Sequence, residues 1–246
     1  MKELYSMLDK RKSVRTIDKN NLMTEKDLQI VKDYLDSITP LYSEIPVKWK
    51  IVEAKETNSK IGEYEVLIYS KKSECTDYLL NIGYMFEKAD LFFEKNNIGV
   101  CWLGIPRPKD MVYEGLDYVI MLGLSKISEN DLRTGIDDFK RKKEEKLWCG
   151  EFNEDVISKS LLAPSACNSQ SWIIEKKENV ITVYRNKHII TIIPKSRLDY
   201  FNSMDLGIYL CFLEVALLGN GYDFERKLIN KDYSKDKILI AEYILK

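Results

Sequence analysis

One histidine, His188, is all the imidazole that this chain of 246 residues possesses. A single ring cannot build a His-rich metal centre, and any Ser/His/Asp or Cys/His triad would have to pass through that one residue. Cysteine is also sparse: Cys75, Cys101, Cys149, Cys167 and Cys211 are odd in number and include no C-x-x-C pair. With no secretory signal at the N-terminus, they read as reduced thiols of a cytoplasmic protein, most of them acting as small buried hydrophobes. Neither sign of charge dominates, since 38 Lys+Arg stand against 39 Asp+Glu. That balance argues against holding nucleic acid or an anionic membrane by bulk electrostatics. There is no G-x-G-x-x-G and no P-loop, and no Pro/Gly/Ser-rich linker. The most apolar stretch, IYLCFLEVALLGNG (208–221), is short and interrupted by Glu214, so no bilayer span is expected.

What is present is a normal core: 45% of residues are hydrophobic, enough to exclude wholesale disorder. The length suits one large domain or two small ones. Helical periodicity marks LYSMLDKR (4–11) and EKDLQIVKDYLDSI (25–38), the latter opened by Thr24 with Asp27 three residues on. Residues 76–96 are apolar around most of the helix circumference, which predicts burial on several sides. Strands are expected at VKWKIVEA, YEVLIYS, IGVCWLGI and DYVIMLGL. A similar order resumes near residue 153: helix NEDVISKSLL, strands SWIIEKK, NVITVYR and HIITII, the helix from Met204, then strands YDFERKLI and KILIAEYIL. KRKKEEK (140–146) reads as a solvated helix face. The class is α+β.

The two halves superpose along the sequence. Pro40 and Pro164, and Gly83 and Gly207, are each 124 apart; Trp49 and Trp172 are 123 apart. A duplicated chain is expected to bury between its halves what a homodimer buries between subunits. The halves divide near residues 1–145 and 146–246, together forming one unit.

Three segments carry possible chemistry. Arg11-Lys12-Ser13-Val14-Arg15 concentrates three cations and a hydroxyl, and arginine's planar fork suits phosphate. A solvated basic patch is the plainer reading of the same residues. APSACNSQSW (163–172) offers small residues for close approach and Ser, Asn and Gln groups that can read a heterocycle's edge. A loop built so is more often an ordinary turn than a site. NIGVCWLG (97–104) ends a strand in glycine, where backbone amides can face a ligand.

Together these segments resemble the nitroreductase family of flavoproteins, and in particular an internally fused "TM nitroreductase" type in which one chain mimics the family homodimer. RKSVR matches the family's basic N-terminal segment, APSACNSQSW its Pro-Ser-Asn loop and, more loosely, NIGVCWLG its Gly-x-Trp segment. The resemblance implies a nitroreductase-like fold of mixed, mostly antiparallel sheets flanked by helices, with two pseudo-repeats forming an intramolecular pseudo-dimer. It implies FMN, with NAD(P)H as reductant and a small electron-poor acceptor such as a nitroaromatic or quinone. It implies that Arg11, Ser13 and Arg15 meet the FMN phosphate and ribityl, with Lys12 contributing through its backbone. Pro164, Ser165, Ala166 and Asn168 would lie beside the flavin ring, with Gln170 the following polar position. Leu103 and Gly104 would turn their backbone to the flavin from the strand end, and Arg141 would close over the phosphate. Ser171 stands where the family usually has Pro, and Cys101 where Thr is common.

No side chain is then required as acid or nucleophile, because the flavin carries the chemistry, and no metal is expected. The mirror site would pair TPLYSEIPVKW (39–49) with a segment near GIDDFKR (135–141), which lacks the serine and so looks degenerate. Lid candidates are residues 53–65 and 106–116. The expected state is a cytoplasmic monomer acting as a pseudo-dimer, without nucleic-acid or membrane partners and with higher assembly left open. The alternatives are a catalytically silent flavin- or ligand-binding module and a structural pseudo-enzyme that acts through a protein partner. Loss of both Arg11 and Arg15 is expected to weaken FMN binding.

Overall fold

Val66 to Tyr69 and Val119 to Leu122 are buried on both strand faces, so their sheet must be covered on both sides. In the computed structural model, which describes residues 1–229, 232 and 235–246, that sheet comprises β1 (Val47–Glu53), β2 (Tyr64–Ser70), β3 (Ile98–Leu103), β4 (Val112–Tyr113) and β5 (Leu116–Lys126). Its order is β1-β2-β5-β3, antiparallel throughout, with β4 also on β5. A second sheet takes all its strands from the rest of the chain: β6 (Trp148–Cys149), β7 (Trp172–Lys177), β8 (Val180–Asn186), β9 (Phe224–Leu228) and β10 (Lys237–Leu245). Its order is β6-β7-β8-β10-β9, antiparallel except for the β6–β7 pair.

The α-helices are α1 (Glu25–Ser37), α2 (Asp77–Lys95), α3 (Glu154–Ser160) and α4 (Lys195–Gly219). Thr24 caps α1 reciprocally: its Oγ1 accepts from Asp27 N–H, and the Asp27 carboxylate accepts from Thr24 N–H. Both α2 and α4 are buried nearly all round and pack on each other between the sheets. α4 starts nine residues before the expected Met204. It is long and apolar enough to cross a bilayer, but most of its apolar stretch is buried inside the protein, making it a core helix.

Two glycines permit the α2–α4 crossing. A Cβ on Gly83 would stand 2.0 Å from the Met204 carbonyl oxygen, and one on Gly207 2.0 Å from that of Leu80. Leu80 and Met204 are 124 apart, as are the two glycines, so the contact is reciprocal.

Three expected elements differ. The first helix is a 3₁₀ turn, Lys2–Met7, whose Leu4, Met7 and Leu8 join the core of the second sheet. HIITII is a loop: both edges of β8 are already paired, to β7 and β10, so its apolar alternation finds no strand to join, and Ile190 and Ile192 lie exposed. KRKKEEK forms only a short 3₁₀ turn at Glu144–Lys146, and Arg141 and Lys142 spend their donors on the 162–170 segment.

Candidate functional site

The N-terminal segment crosses from one half to the other. Lys159 on α3 pairs with Asp9 at 2.9 Å, and Tyr5 donates to Asp155 while packing on Gly219. The chain then runs beside β3, where Val14 N–H donates to Val100 O at 2.9 Å and Ser13 bridges Val100 in parallel. Residues 11–15 are thereby set against the loop that follows α3. The two segments line a cleft with two adjoining parts that share Arg11, Ser13, Arg15, Pro164, Ser165 and Cys167.

The outer cavity, about 560 Å³, is cationic. Lys12, Arg15, Arg133, Lys140 and Arg141 line it, and Asp138 is its single acidic wall residue. Burial lowers the Arg141 guanidinium to about 10, helped by repulsion from Arg11 and Arg133. Arg133 is lowered too, first by burial and then by Arg11. Half-buried cations lowered by burial and by neighbouring positive charge, with one acidic residue on the wall, form a place that favours an anion.

The inner cavity, about 150 Å³, is walled by apolar and small groups: Trp102, Gly104, Pro164, Phe201, Met204 and Ile208. The Phe201 ring rests on Gly104, where a Cβ would stand 2.7 Å from it. Asp205 of α4 closes this cavity from below the loop.

The loop itself is strained. Cys167, Asn168 and Gln170 have φ of 51°, 54° and 44°, the left-handed region that non-glycine residues rarely enter. Its neighbours hold it there. Asp205 accepts from Ala166 N–H (3.0 Å) and Ser169 Oγ–H (3.2 Å). Arg141 donates to Leu162 O and Asn168 Oδ1, and Lys142 Nζ donates to Ser169 O and Gln170 O.

Of the residues marked in the sequence, Arg11, Ser13, Arg15, Pro164 and Ser165 line both parts of the cleft. Ala166 and Gly104 line the inner cavity, and Lys12, Asn168 and Arg141 the outer. Three roles change. Leu103 turns its side chain into the core of the first sheet and lines neither part, because alternation along β3 hands the cavity to Trp102. Gln170 is buried and lines a separate cavity beside Trp172. The Lys12 backbone N–H is taken by Glu94 at 2.9 Å, so only its side chain faces the cleft. Residues near 135–141 serve this cleft and not a mirror of it. His188 is exposed and pairs with Asp236. The two lid candidates bind each other, Arg107 N–H donating to Asn58 Oδ1 at 2.7 Å.

Arg133, Phe201 and Asp205 were not legible in sequence, since each reaches the cleft through a helix or connection with no motif. Arg133 donates to the Arg11 carbonyl and stacks on Phe139 at 4.0 Å.

Arg11 is itself buried. Its Nε (3.1 Å) and Nη2 (2.7 Å) donate to Asp90 Oδ2, and its Nη1 donates to Ser13 Oγ. Glu87, Asp90 and Glu94 form a fully buried carboxylate row on α2, and Trp102 Nε1 donates to the first two. Burial, reinforced by Asp90, raises Glu87 and Glu94 well above the usual carboxylate range. A raised folded pKa stabilises the native state below the unfolded value and loses that stabilisation as pH climbs to the folded value. Glu87→Gln, which keeps an acceptor for Trp102, is therefore expected to raise Tm at pH 8 and to change it little at pH 4; thermal unfolding at both pH values checks this.

Comparison with known proteins agrees with the fold. The crystal structure of a "putative nitroreductase" from Thermotoga maritima is similar over 98% of this chain and 93% of its own, with 20% identity and a TM-score of 0.62. A nitroreductase family protein from Clostridium novyi covers 52% of this chain and 87% of its own, with 14% identity and a TM-score of 0.40. No curated protein matches the sequence. Residues 3–217 match the family described as "Putative TM nitroreductase", and with that share of its length matched the chain belongs to this nitroreductase family.

Proposed function

We propose that the protein is an FMN-dependent oxidoreductase, with the cofactor phosphate in the outer cavity and the ring in the inner one. Family membership supports a general oxidoreductase role. The observation that carries the FMN reading is the cation group of Arg15, Arg133 and Arg141, which opens onto a largely apolar slot. The donor set suits a phosphate: planar guanidinium forks, the Lys12 and Lys140 ammonium groups and the Ser13 hydroxyl. The walls formed by Pro164, Trp102 and Gly104, with the Phe201 ring against Gly104, suit a planar heterocycle.

Bound FMN would supply hydride transfer between NAD(P)H and a small electron-poor acceptor such as a nitroaromatic or quinone. The chain's own part is to bind and orient. Arg15, Arg133 and Arg141 hold the anion, and the strained loop presents Pro164 and Ser165 to the inner cavity. Arg11, neutralised by Asp90, stiffens the segment that carries Ser13. Purified protein is expected to be yellow, or to quench the fluorescence of added FMN, and to be bleached by anaerobic NAD(P)H. Protein that is colourless and causes no quenching overturns the reading. One observation favours a silent flavin-binding module instead: Phe201 occupies the space beside Gly104, where an open ring face would be needed. Bound FMN that NAD(P)H cannot reduce would select that alternative.

We also read the chain as a monomeric, cytoplasmic pseudo-dimer with halves near 1–145 and 146–246. The reciprocal glycine contacts support it, and so does a second pair of contacts at the same spacing. Trp102 donates to Asp90, and Arg226, 124 residues further on, donates to Glu214. Asn81 accepts from Leu41 N–H as Asp205 accepts from Ala166 N–H. The mirror of the cleft is filled: Tyr84 donates to Glu214 at 2.6 Å, and Arg226 lies over its ring. One FMN per chain is expected in a fluorescence titration; two would overturn the single-site reading.

A further inference from the structure

Asp205 and Asn81 do the same job in the two halves. Each, near one end of the helix crossing, accepts a backbone N–H from the loop that follows a proline: Ala166 after Pro164, and Leu41 and Tyr42 after Pro40. Asn81 accepts both N–H groups on its one amide oxygen and returns a bond from its amide N–H to Tyr42 O at 3.2 Å. The position that faces the cleft carries a carboxylate instead, buried at 3% exposure on the cavity wall, with its second oxygen accepting from Ser169.

We propose that Asp205 is a positioning residue that clasps the 163–170 loop through both carboxylate oxygens and loosens it on protonation, making cofactor affinity depend on pH. The loop needs such a clasp because three of its residues sit at positive φ and relax if their restraints weaken. A carboxylate accepts both bonds at full strength, whereas a carboxylic acid has one oxygen bearing a proton and accepts more weakly. Burial pushes Asp205 up to about 7, against the pull of the Ala166 and Ser169 bonds and of Arg185.

The groups around it are few. Arg185 of β8 is buried, its Nε has no partner among the described residues, and its carboxylate partner Asp199 is exposed. Asn202 of the same helix accepts from Ser169. Across the cavity stand Arg15 and Arg11, the latter already paired to Asp90 and Glu87, with the Cys167 thiol on the loop. Among the described residues Arg185 is the positive charge that helps hold Asp205 ionised, and burial outweighs it.

The loop chemistry stands alone; its consequence for affinity rests on the FMN reading. The test uses the whole chain, wild type and Asp205→Asn, the residue that the other half already uses. FMN is titrated by fluorescence quenching at pH 6 and pH 8. The FMN phosphate ionises alike in both proteins, so the ratio of their dissociation constants isolates Asp205. Wild type is expected to bind at least fivefold tighter than the variant at pH 8 and within twofold of it at pH 6. A ratio independent of pH overturns the proposal.

The second measurement needs no FMN and no variant. Hydrogen exchange of the Ala166 amide in the unliganded wild type, corrected for intrinsic rate, is expected to lose protection at least threefold from pH 8 to pH 6. Unchanged protection overturns the clasp even if FMN binds. Absence of FMN binding at both pH values, with Ala166 protection still falling, overturns the FMN reading and its affinity consequence while upholding the clasp.

Discussion

Removal of Arg15 and Arg141 together, as Arg15→Ala with Arg141→Ala, is expected to weaken FMN binding roughly 10²- to 10⁴-fold. Each charge-assisted contact to a phosphate is worth about 1.5–3 kcal/mol, and every 1.4 kcal/mol is about tenfold. Arg15 donates no hydrogen bond to any described residue, so its loss leaves no buried partner stranded. Arg141 also holds the Leu162 carbonyl and Asn168, so the single Arg15→Ala variant separates loss of charge from loss of loop order. Added salt should mimic the double variant in part, because the outer cavity opens to solvent and screening weakens its field. Equal affinity in wild type and the double variant, by fluorescence titration, would remove the phosphate from this cavity. The pair suggested by sequence alone, Arg11 with Arg15, is the wrong experiment. Arg11 is the partner of buried Asp90, and its loss leaves an uncompensated carboxylate, a change that destabilises by about 3–5 kcal/mol before any ligand is added.

The largest effect on stability is expected at the helix crossing. In Gly207→Ala the new methyl meets the Leu80 carbonyl oxygen at 2.0 Å, and Tyr84 N at 2.7 Å. These are backbone atoms in the middle of a buried helix, and they cannot rotate away as a side-chain tip can. The helices must separate along their whole contact, at a cost of about 3 kcal/mol or more, which for a chain of this size lowers Tm by roughly 6–12 °C. Gly83→Ala is expected to cost about the same, since its contact with Met204 has the same 2.0 Å geometry. Gly115, where a Cβ meets nothing within 4 Å, provides a control away from the crossing, although its φ of +77° carries a strain of its own. Differential scanning calorimetry of the three variants decides the matter. A Gly207→Ala protein that melts with the wild type would mean that the α2–α4 packing is looser than its geometry requires.

Much of the fold was legible because periodicity is local. The double-sided burial of β5 shows as an unbroken apolar run and that of α2 as apolar positions around most of its circumference, and the Thr24–Asp27 cap of α1 is written within four residues. The 124-residue spacing of Pro and Gly was legible by laying one half over the other, and RKSVR and APSACNSQSW were legible as contiguous runs, whose residues now share one cleft. HIITII has the composition of a strand, but composition does not say whether an edge is free, and β8 had none left to offer. Leu103 and Trp102 are neighbours in sequence, and only the register of β3 on β5 settles which one faces the cavity.

By itself, the sequence determined the class of the fold, its family and the segments that line the cleft, because each rests on residues close together in the chain. Only the tertiary structure decided that Arg11 is already neutralised, that Arg133 joins the cation group and that Asp205 stands under the loop. Burial, pairing of charge and the direction of a side chain arise here from contacts between residues 39 to 122 apart, and no local pattern encodes them.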